Sequence, residues 1–359
     1  SKPSFRGLFL YRYIFMCYNI SKRERKVMNQ YLDELRNNEY VREKDLGNAV
    51  HSFNYSNKAF FKGVWNSTTT KARGLFCDMD TEAVIARSFD KFFAIDERPE
   101  TSIDVLKDTL KFPMAAYRKE NGFLGICSYR KGECNNLFLA SKSTNQGEYA
   151  DYFRSIFNDT MPCYMQPQFA DMLRSMNCSA VFEVIDPIHD PHIVEYDKPK
   201  IVLLALIRND FSYISLSYWM VKEVARIYNL ECKELVATIN NWDGFVEFYE
   251  KAKGESKVEG YVFEDDNGFM LKLKTDWYKY WKRIRSVVQA INKGKVPSEI
   301  RQKYRITSED NALMDFLYDY VFEAQEYGFE DALKDIPIIR RLFIESTLPK
   351  VEQKILLDS

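Results

Sequence analysis

Between residues 50 and 275, short β-branched and aromatic runs alternate with turn signals, and after Asp276 the apolar period becomes helical. GLFCDMD (74–80), AVIARSF (83–89), FLGICSY (123–129), AVFEVID (180–186) and FMLKLKT (269–275) are such runs. Runs of this length, separated by turns, pair into antiparallel sheets. Asp265-Asp266-Asn267-Gly268 reads as a hairpin turn. IVLLALI (201–207) lacks polar alternation, which predicts a strand buried on both faces. Helices are expected near 100–110, 148–158 and 219–228. The fold class is therefore α+β, a core of antiparallel sheets flanked by helices.

Charged residues at helical spacing in SKRERKVMNQYLDELRNN predict an N-terminal helical segment over 1–48. Beyond the core (49–285), a small all-α domain is expected over 286–359. Its leading helix carries one stripe of Trp277, Trp281, Ile284, Val288 and Ile291. Charge splits by segment: 279–305 hold nine Lys or Arg against Glu299 alone, and 307–335 hold nine acids against Lys334 alone. The net charge of −1 means that any nucleic-acid contact must use a local patch. Seven cysteines without a C-x-x-C pair point to a reducing compartment, and three histidines leave little material for a His-rich metal site. FLYRYIFMCYNI (9–20) is too short to span a bilayer and contains Arg12, so no membrane partner is expected.

Lys119 is the residue that asks for an explanation. Five K-x-x-G matches begin at Lys44, Lys71, Lys119, Lys251 and Lys257, so the pattern alone selects nothing. Only Lys119 stands in RKENGFLG, between KARGLFCDMD (71–80) and RSFDKFFAIDE (87–97) on one side and three further stretches on the other. Those are LFLASKSTNQGEYA (137–150), the AVFEVID segment running on through 208, and VEGYVFEDDNGFMLKLKTDWY (258–278). The order and wording of these stretches resemble the covalent nucleotidyltransferase superfamily, and most closely the ATP-dependent RNA ligases of the phage tRNA-repair type. The resemblance covers roughly residues 70–280.

The chemistry of that family explains the residue types. A lysine that attacks the α-phosphorus of ATP must be a free amine, although a solvated lysine titrates near 10.4. Nearby cations and an apolar pocket both lower that value. Ala115, Ala116, Phe123 and Leu124 flank Lys119, which the resemblance makes the lysyl-AMP nucleophile, followed by Gly122. Lys272 and Lys274 stand two apart in a strand and project to one face. An anion between them, the triphosphate, relieves their repulsion; a solvated face is the plainer alternative. By the resemblance Arg73 and Lys91 contact phosphate, Phe93 stacks on the base, and Glu183 meets the ribose hydroxyls; Lys142 matches a nucleotide-site lysine in the family's strand after the nucleophile. An internal ion pair is the alternative for Glu183. Glu259 would hold Mg2+ or Mn2+, since magnesium takes few carboxylates and keeps its waters.

Two departures narrow the reading. The usual lysine motif has aspartate before its glycine, whereas this chain has Asn121, as some fungal tRNA-splicing ligases do. No stretch after Lys274 resembles the oligonucleotide-binding barrel of DNA ligases and capping enzymes. Lys279, Lys282, Arg283 and Arg285 are expected to face outward, either as an RNA-backbone contact or as a solvated helix face. The implied activity is sealing of RNA 5′-phosphate and 3′-hydroxyl ends through lysyl-AMP and an adenylylated RNA end. RNA, with cleaved tRNA as one candidate, is the implied partner, together with an end-healing kinase or phosphatase, fused or separate. A capping guanylyltransferase, a DNA ligase, or an inactive nucleotide- or RNA-binding module are the competing readings.

Overall fold

The computed structural model describes residues 30–347. Within them the chain forms two compact units. Residues up to 93, 123–185 and 199–234 make the first, and 94–122, 186–198 and 235 onward make the second.

In the first unit, residues 30–36 are helical and are followed by a four-stranded antiparallel sheet. Its strands are β1 (Val41–Asp45), β2 (Val50–Tyr55), β3 (Leu75–Asp78) and β4 (Ala83–Arg87), paired in that order. β1 corrects the sequence reading, which extends a helical segment through residue 48. Arg42, Glu43, Lys44 and Asp45 are exposed edge-strand residues, and charge is what an edge strand carries to avoid pairing with other chains. Glu43 also accepts from the His51 ring at 2.6 Å on the neighbouring strand, a contact that helical periodicity cannot register. The expected helix over residues 1–29 and the run at 9–20 lie outside the described residues.

The chain passes through β5 (Phe93–Ala94) to lay β6 (Met114–Lys119) in the second unit, and returns as β7 (Phe123–Tyr129) and β8 (Leu137–Ser141). Two helices follow, α1 (Glu148–Thr160) and α2 (Gln166–Met176), and then β9 (Cys178–Ile185) and β10 (Lys200–Arg208). α3 (Tyr218–Ile227) and β11 (Glu231–Cys232) complete the first unit. Its second sheet has the order β11-β10-β9-β7-β8, antiparallel except for β10 with β11. β10 is buried from Ile201 to Ile207 apart from a half-buried Leu204, which answers the expectation of two covered faces. Phe153, Phe157, Phe169 and Phe182 fill the core under it.

The second unit is built on a sheet of order β12-β6-β13-β14-β5, with β12 (Leu235–Ile239), β13 (Gly260–Glu264) and β14 (Met270–Lys274). The Asp265–Gly268 turn joins β13 to β14 as a hairpin, with Gly268 at φ +77°. α4 (Trp242–Lys253) packs Phe245 against Phe263 and Leu271. Register matters most here, because Gly260 lies opposite Lys119 on one side and Lys274 on the other. A side chain at 260 could not be accommodated: a Cβ there would lie 1.9 Å from the Leu273 carbonyl, at φ +149°. The glycine of E-G-Y-V is thus the pinch between the two lysine-bearing strands, and Glu259 sits immediately before it.

Thr275 caps the next helix, its Oγ1 accepting from the Tyr278 N–H at 3.1 Å. α5 (Asp276–Asn292), α6 (Pro297–Tyr304), α7 (Asn311–Tyr327) and α8 (Ile336–Thr347) follow. Trp281, Ile284, Val288 and Ile291 are buried, as their spacing predicts. α5 runs unbroken through residue 285, because that apolar stripe continues to Ile291; a domain boundary there would fall inside a helix. No helix among the described residues is long and apolar enough to cross a membrane.

Candidate active site

Strand pairing brings Lys119, Glu259 and Lys274 into one cluster. Glu259 is 3% exposed, and its carboxylate is bracketed by Lys119 Nζ at 3.0 Å and Lys274 Nζ at 3.1 Å. Burial alone would raise the Glu259 pKa, but the two ammonium groups and their hydrogen bonds hold it below the ordinary carboxylate range. The neighbours expected around Lys119 from the sequence are cations. The charge against its amine is instead a carboxylate, which favours the ammonium form, so the protein as described holds Lys119 as one arm of an ion pair. Lys272 projects to the same face as Lys274 and lies 4.0 Å from Glu97.

Asn121 ties this cluster together. It is 3% exposed and donates from Nδ2 to Glu259 Oε2 at 2.8 Å and to the Tyr278 hydroxyl at 3.3 Å. Its Oδ1 accepts from the backbone N–H groups of Ile193 and Val194 at 3.2 and 3.1 Å. Tyr196 donates to Glu120 and accepts from the Asn121 N–H, both at 2.8 Å. The ring of Tyr278 lies 4.9 Å from Lys274 Nζ, and burial followed by the Glu259 charge pushes its hydroxyl up to about 12. Gly122 is half-buried at the end of the same turn. Tyr196 carried no sequence signal, because its contacts reach residues 75 and 76 positions away.

The first unit assembles the other predicted positions. Lys91 Nζ lies over the Phe93 ring at 3.8 Å and the Trp65 ring at 5.1 Å, and Lys142 Nζ lies 5.4 Å over Tyr55. Tyr55, Trp65 and Phe93 touch edge to face in series, so the lysines are presented along one aromatic ridge. Arg73 donates to the Phe89 carbonyl at 3.3 Å. Burial of its guanidinium lowers its pKa against the opposing pull of Tyr55 and Glu183. Burial and then the Arg73 charge lower the pKa of Lys142. Glu183 sits half-buried in β9 as the counter-charge of this group. Tyr55 and Trp65 were not foreseen, since lone aromatics in such runs are usually core.

On α5 the structure corrects a simple outward-facing stripe. Lys279 pairs with Asp276 at 3.1 Å, whereas Arg283 and Arg285 are half-buried, Arg283 lying 5.1 Å over Tyr280. Lys282 is exposed, as expected, and the Lys274 charge first, then desolvation and Arg285, lowers its pKa. Helix spacing explains this, because Lys282 and Arg285 fall one and two turns after Tyr278 on the face turned to the lysine cluster.

Within the second unit, the Lys119–Glu259–Lys274 cluster can hold a phosphate group against cations, deliver an amine and offer one carboxylate. No group of three His, Cys, Asp or Glu residues that could hold a metal exists among the described residues. A largely hydrated magnesium needs only one or two carboxylates besides substrate oxygens, and Glu259 fits that demand. The paired lysines should separate in their structural weight. Lys274→Ala breaks a pair with a buried carboxylate and should destabilise the fold by about 1–3 kcal/mol. Lys272→Ala removes a partner 4.0 Å from a carboxylate that is one-third exposed, worth under about 1 kcal/mol. Urea midpoints of the two variants check this; equal midpoints would contradict it.

The site is thus a buried carboxylate held by two strand lysines at a glycine pinch on an antiparallel sheet. The family model described as RNA ligase matches residues 71–278, more than half of the chain, and the chain belongs to that family. It is 26% identical over 270 residues to tRNA ligase 1 of Schizosaccharomyces pombe, covering 67% of this chain and 34% of that protein. It is 24% identical over 323 residues to the tRNA ligase of Candida albicans, covering 77% and 38%. The chain thus spans little more than a third of the length of these relatives. Among solved structures, an archaeal ATP-dependent RNA ligase superposes with TM-score 0.52 at 13% identity over 83% of this chain and 79% of that one. A putative ATP-dependent DNA ligase from Aquifex aeolicus gives 0.50 at 14% identity over 88% and 77%. These two likenesses concern the fold.

Proposed function

We propose that the chain is the adenylate-transferring part of an ATP-dependent RNA ligase. In this reading Lys119 Nζ attacks the α-phosphorus of ATP, a P–N bond forms, and the bond to pyrophosphate breaks. AMP then passes to an RNA 5′-phosphate, and a 3′-hydroxyl displaces it as the phosphodiester forms. Lys272 and Lys274 stabilise the charge that develops on the phosphoryl oxygens. Arg73, Lys91 and Lys142 hold phosphate, Phe93 the base and Glu183 the ribose; Lys279, Lys282, Arg283 and Arg285 meet the RNA backbone. Glu259 would hold a divalent cation, whose positive charge would stand in for the lysine ion pairs. Lys119 must give up both that pair and its proton before it can attack.

The observation that carries this reading is Glu259 shared between Lys119 and Lys274 across the Gly260 pinch, in a chain of the RNA ligase family. Fungal tRNA ligases as relatives point to RNA ends of the tRNA-splicing kind, and the unmatched two-thirds of those proteins leave room for end-healing domains. Incubation with α-labelled ATP or GTP and a divalent cation tests it, followed by RNA with 5′-phosphate and 3′-hydroxyl ends. Label from ATP on Lys119, transfer to RNA, and sealing that distinguishes ends with from ends without a 2′-phosphate are the expected results. Labelling by GTP alone, or sealing of nicked DNA but not RNA, overturns it.

A further inference from the structure

We infer that Asn121 and Arg340 are positioning residues that clamp segment 193–196 onto the lysine turn, making the C-terminal helices a working part of the site. The inference rests on Lys119 as the reacting amine. Arg340, on α8, is 147 residues from Ile193 yet donates to its carbonyl at 3.2 Å, and its other nitrogen lies 3.7 Å from Glu195. The guanidinium is itself fixed, stacked 4.9 Å over Trp277 and 5.5 Å over Trp281 of α5. Ile193 is fully buried in the core of the helical region with Trp281, Ile336 and Ile339. One peptide therefore faces two ways: its carbonyl-bearing residue is anchored by α8, while the N–H groups of Ile193 and Val194 are given to Asn121.

Asn121 uses its whole hydrogen-bonding capacity in this clamp, two acceptor positions and two donors. Backbone N–H groups can only donate, which fixes the amide oxygen towards Ile193 and Val194 and the nitrogen towards Glu259. An aspartate could satisfy the backbone, but it would turn lone pairs on a buried carboxylate 2.8 Å away. The asparagine thus has a structural reason. It transmits the position of 193–196 to Glu259, which holds Lys119.

Amide exchange on the nucleotide-free protein, read over a peptide spanning 191–197, tests the clamp without relying on activity. Exchange at Ile193 and Val194 should rise at least about tenfold in Arg340→Ala and Asn121→Ala, with Arg340→Lys between these and wild type. In parallel, Arg340→Ala should lower kcat for lysyl-AMP formation at least about tenfold with KM for ATP within about threefold, and added methylguanidine should restore part of the rate. Unchanged exchange in a folded Arg340→Ala or Arg340→Lys, or a loss confined to KM, overturns the inference. If wild type forms no lysyl-AMP, the proposed function fails while the exchange result still decides the clamp.

Discussion

Lys119→Arg folds like wild type and takes no label from α-labelled ATP, to below about one part in a thousand of the wild-type signal. The guanidinium keeps the positive charge beside Glu259, so the pair that stabilises the buried carboxylate survives. It cannot lose its proton in a protein, so it has no lone pair to offer phosphorus. Lys119→Ala gives the same loss of label with a fold weakened by about 1–2 kcal/mol, since Glu259 then keeps only Lys274 and Asn121 as partners. The other lysines of the K-x-x-G set are poor substitutes. Lys44 projects from an exposed edge strand, Lys71 lies over Tyr31 at the end of a short helix, Lys251 is on an exposed helix face, and Lys257 is exposed in the turn before Gly260. Mass spectrometry of the labelled peptide identifies the modified residue; adenylate on Lys119→Arg protein would move the nucleophile elsewhere.

What the sequence disclosed was local. Period-two runs with Asp265–Gly268 between them gave the hairpin, and K-x-K spacing put Lys272 and Lys274 on one face. The unbroken IVLLALI run gave a doubly covered strand. What it hid depends on register between distant strands. Nothing near Glu259 announces that Gly260 stands opposite both Lys119 and Lys274, so the carboxylate was assigned to a metal without its two lysine partners. The same limit explains Asn121, whose partners lie 72, 73, 138 and 157 residues away, and Arg340 beyond them. α2 was missed for another reason: QPQFADMLRSM has a proline near its start, which a helix tolerates in its first turn, and its helix is held by Phe169, Ala170 and Leu173 in the core. The β1 error has the converse cause, since charge at helical spacing is also what a protected edge strand displays.

Glu259→Gln should lower stability at neutral pH by about 1–3 kcal/mol and slow lysyl-AMP formation by about 10²-fold or more. The amide preserves shape and still offers an oxygen to Asn121, but it leaves the Lys119 and Lys274 ammonium groups facing each other without a counter-charge. The pH dependence isolates the electrostatic part. Because the folded carboxyl titrates below its ordinary value of 4.5, its contribution is fully present above 4.5 and drains away as pH falls from there through the depressed value. The amide does not titrate, so the stability gap between wild type and Glu259→Gln should be widest near pH 6–7 and should close on acidification below 4.5. Denaturant unfolding at a series of pH values from about 3.5 to 7 measures it. A gap that stays constant across that range would mean that the carboxylate is held by shape and hydrogen bonds alone, and that the two lysines lend it no charge stabilisation.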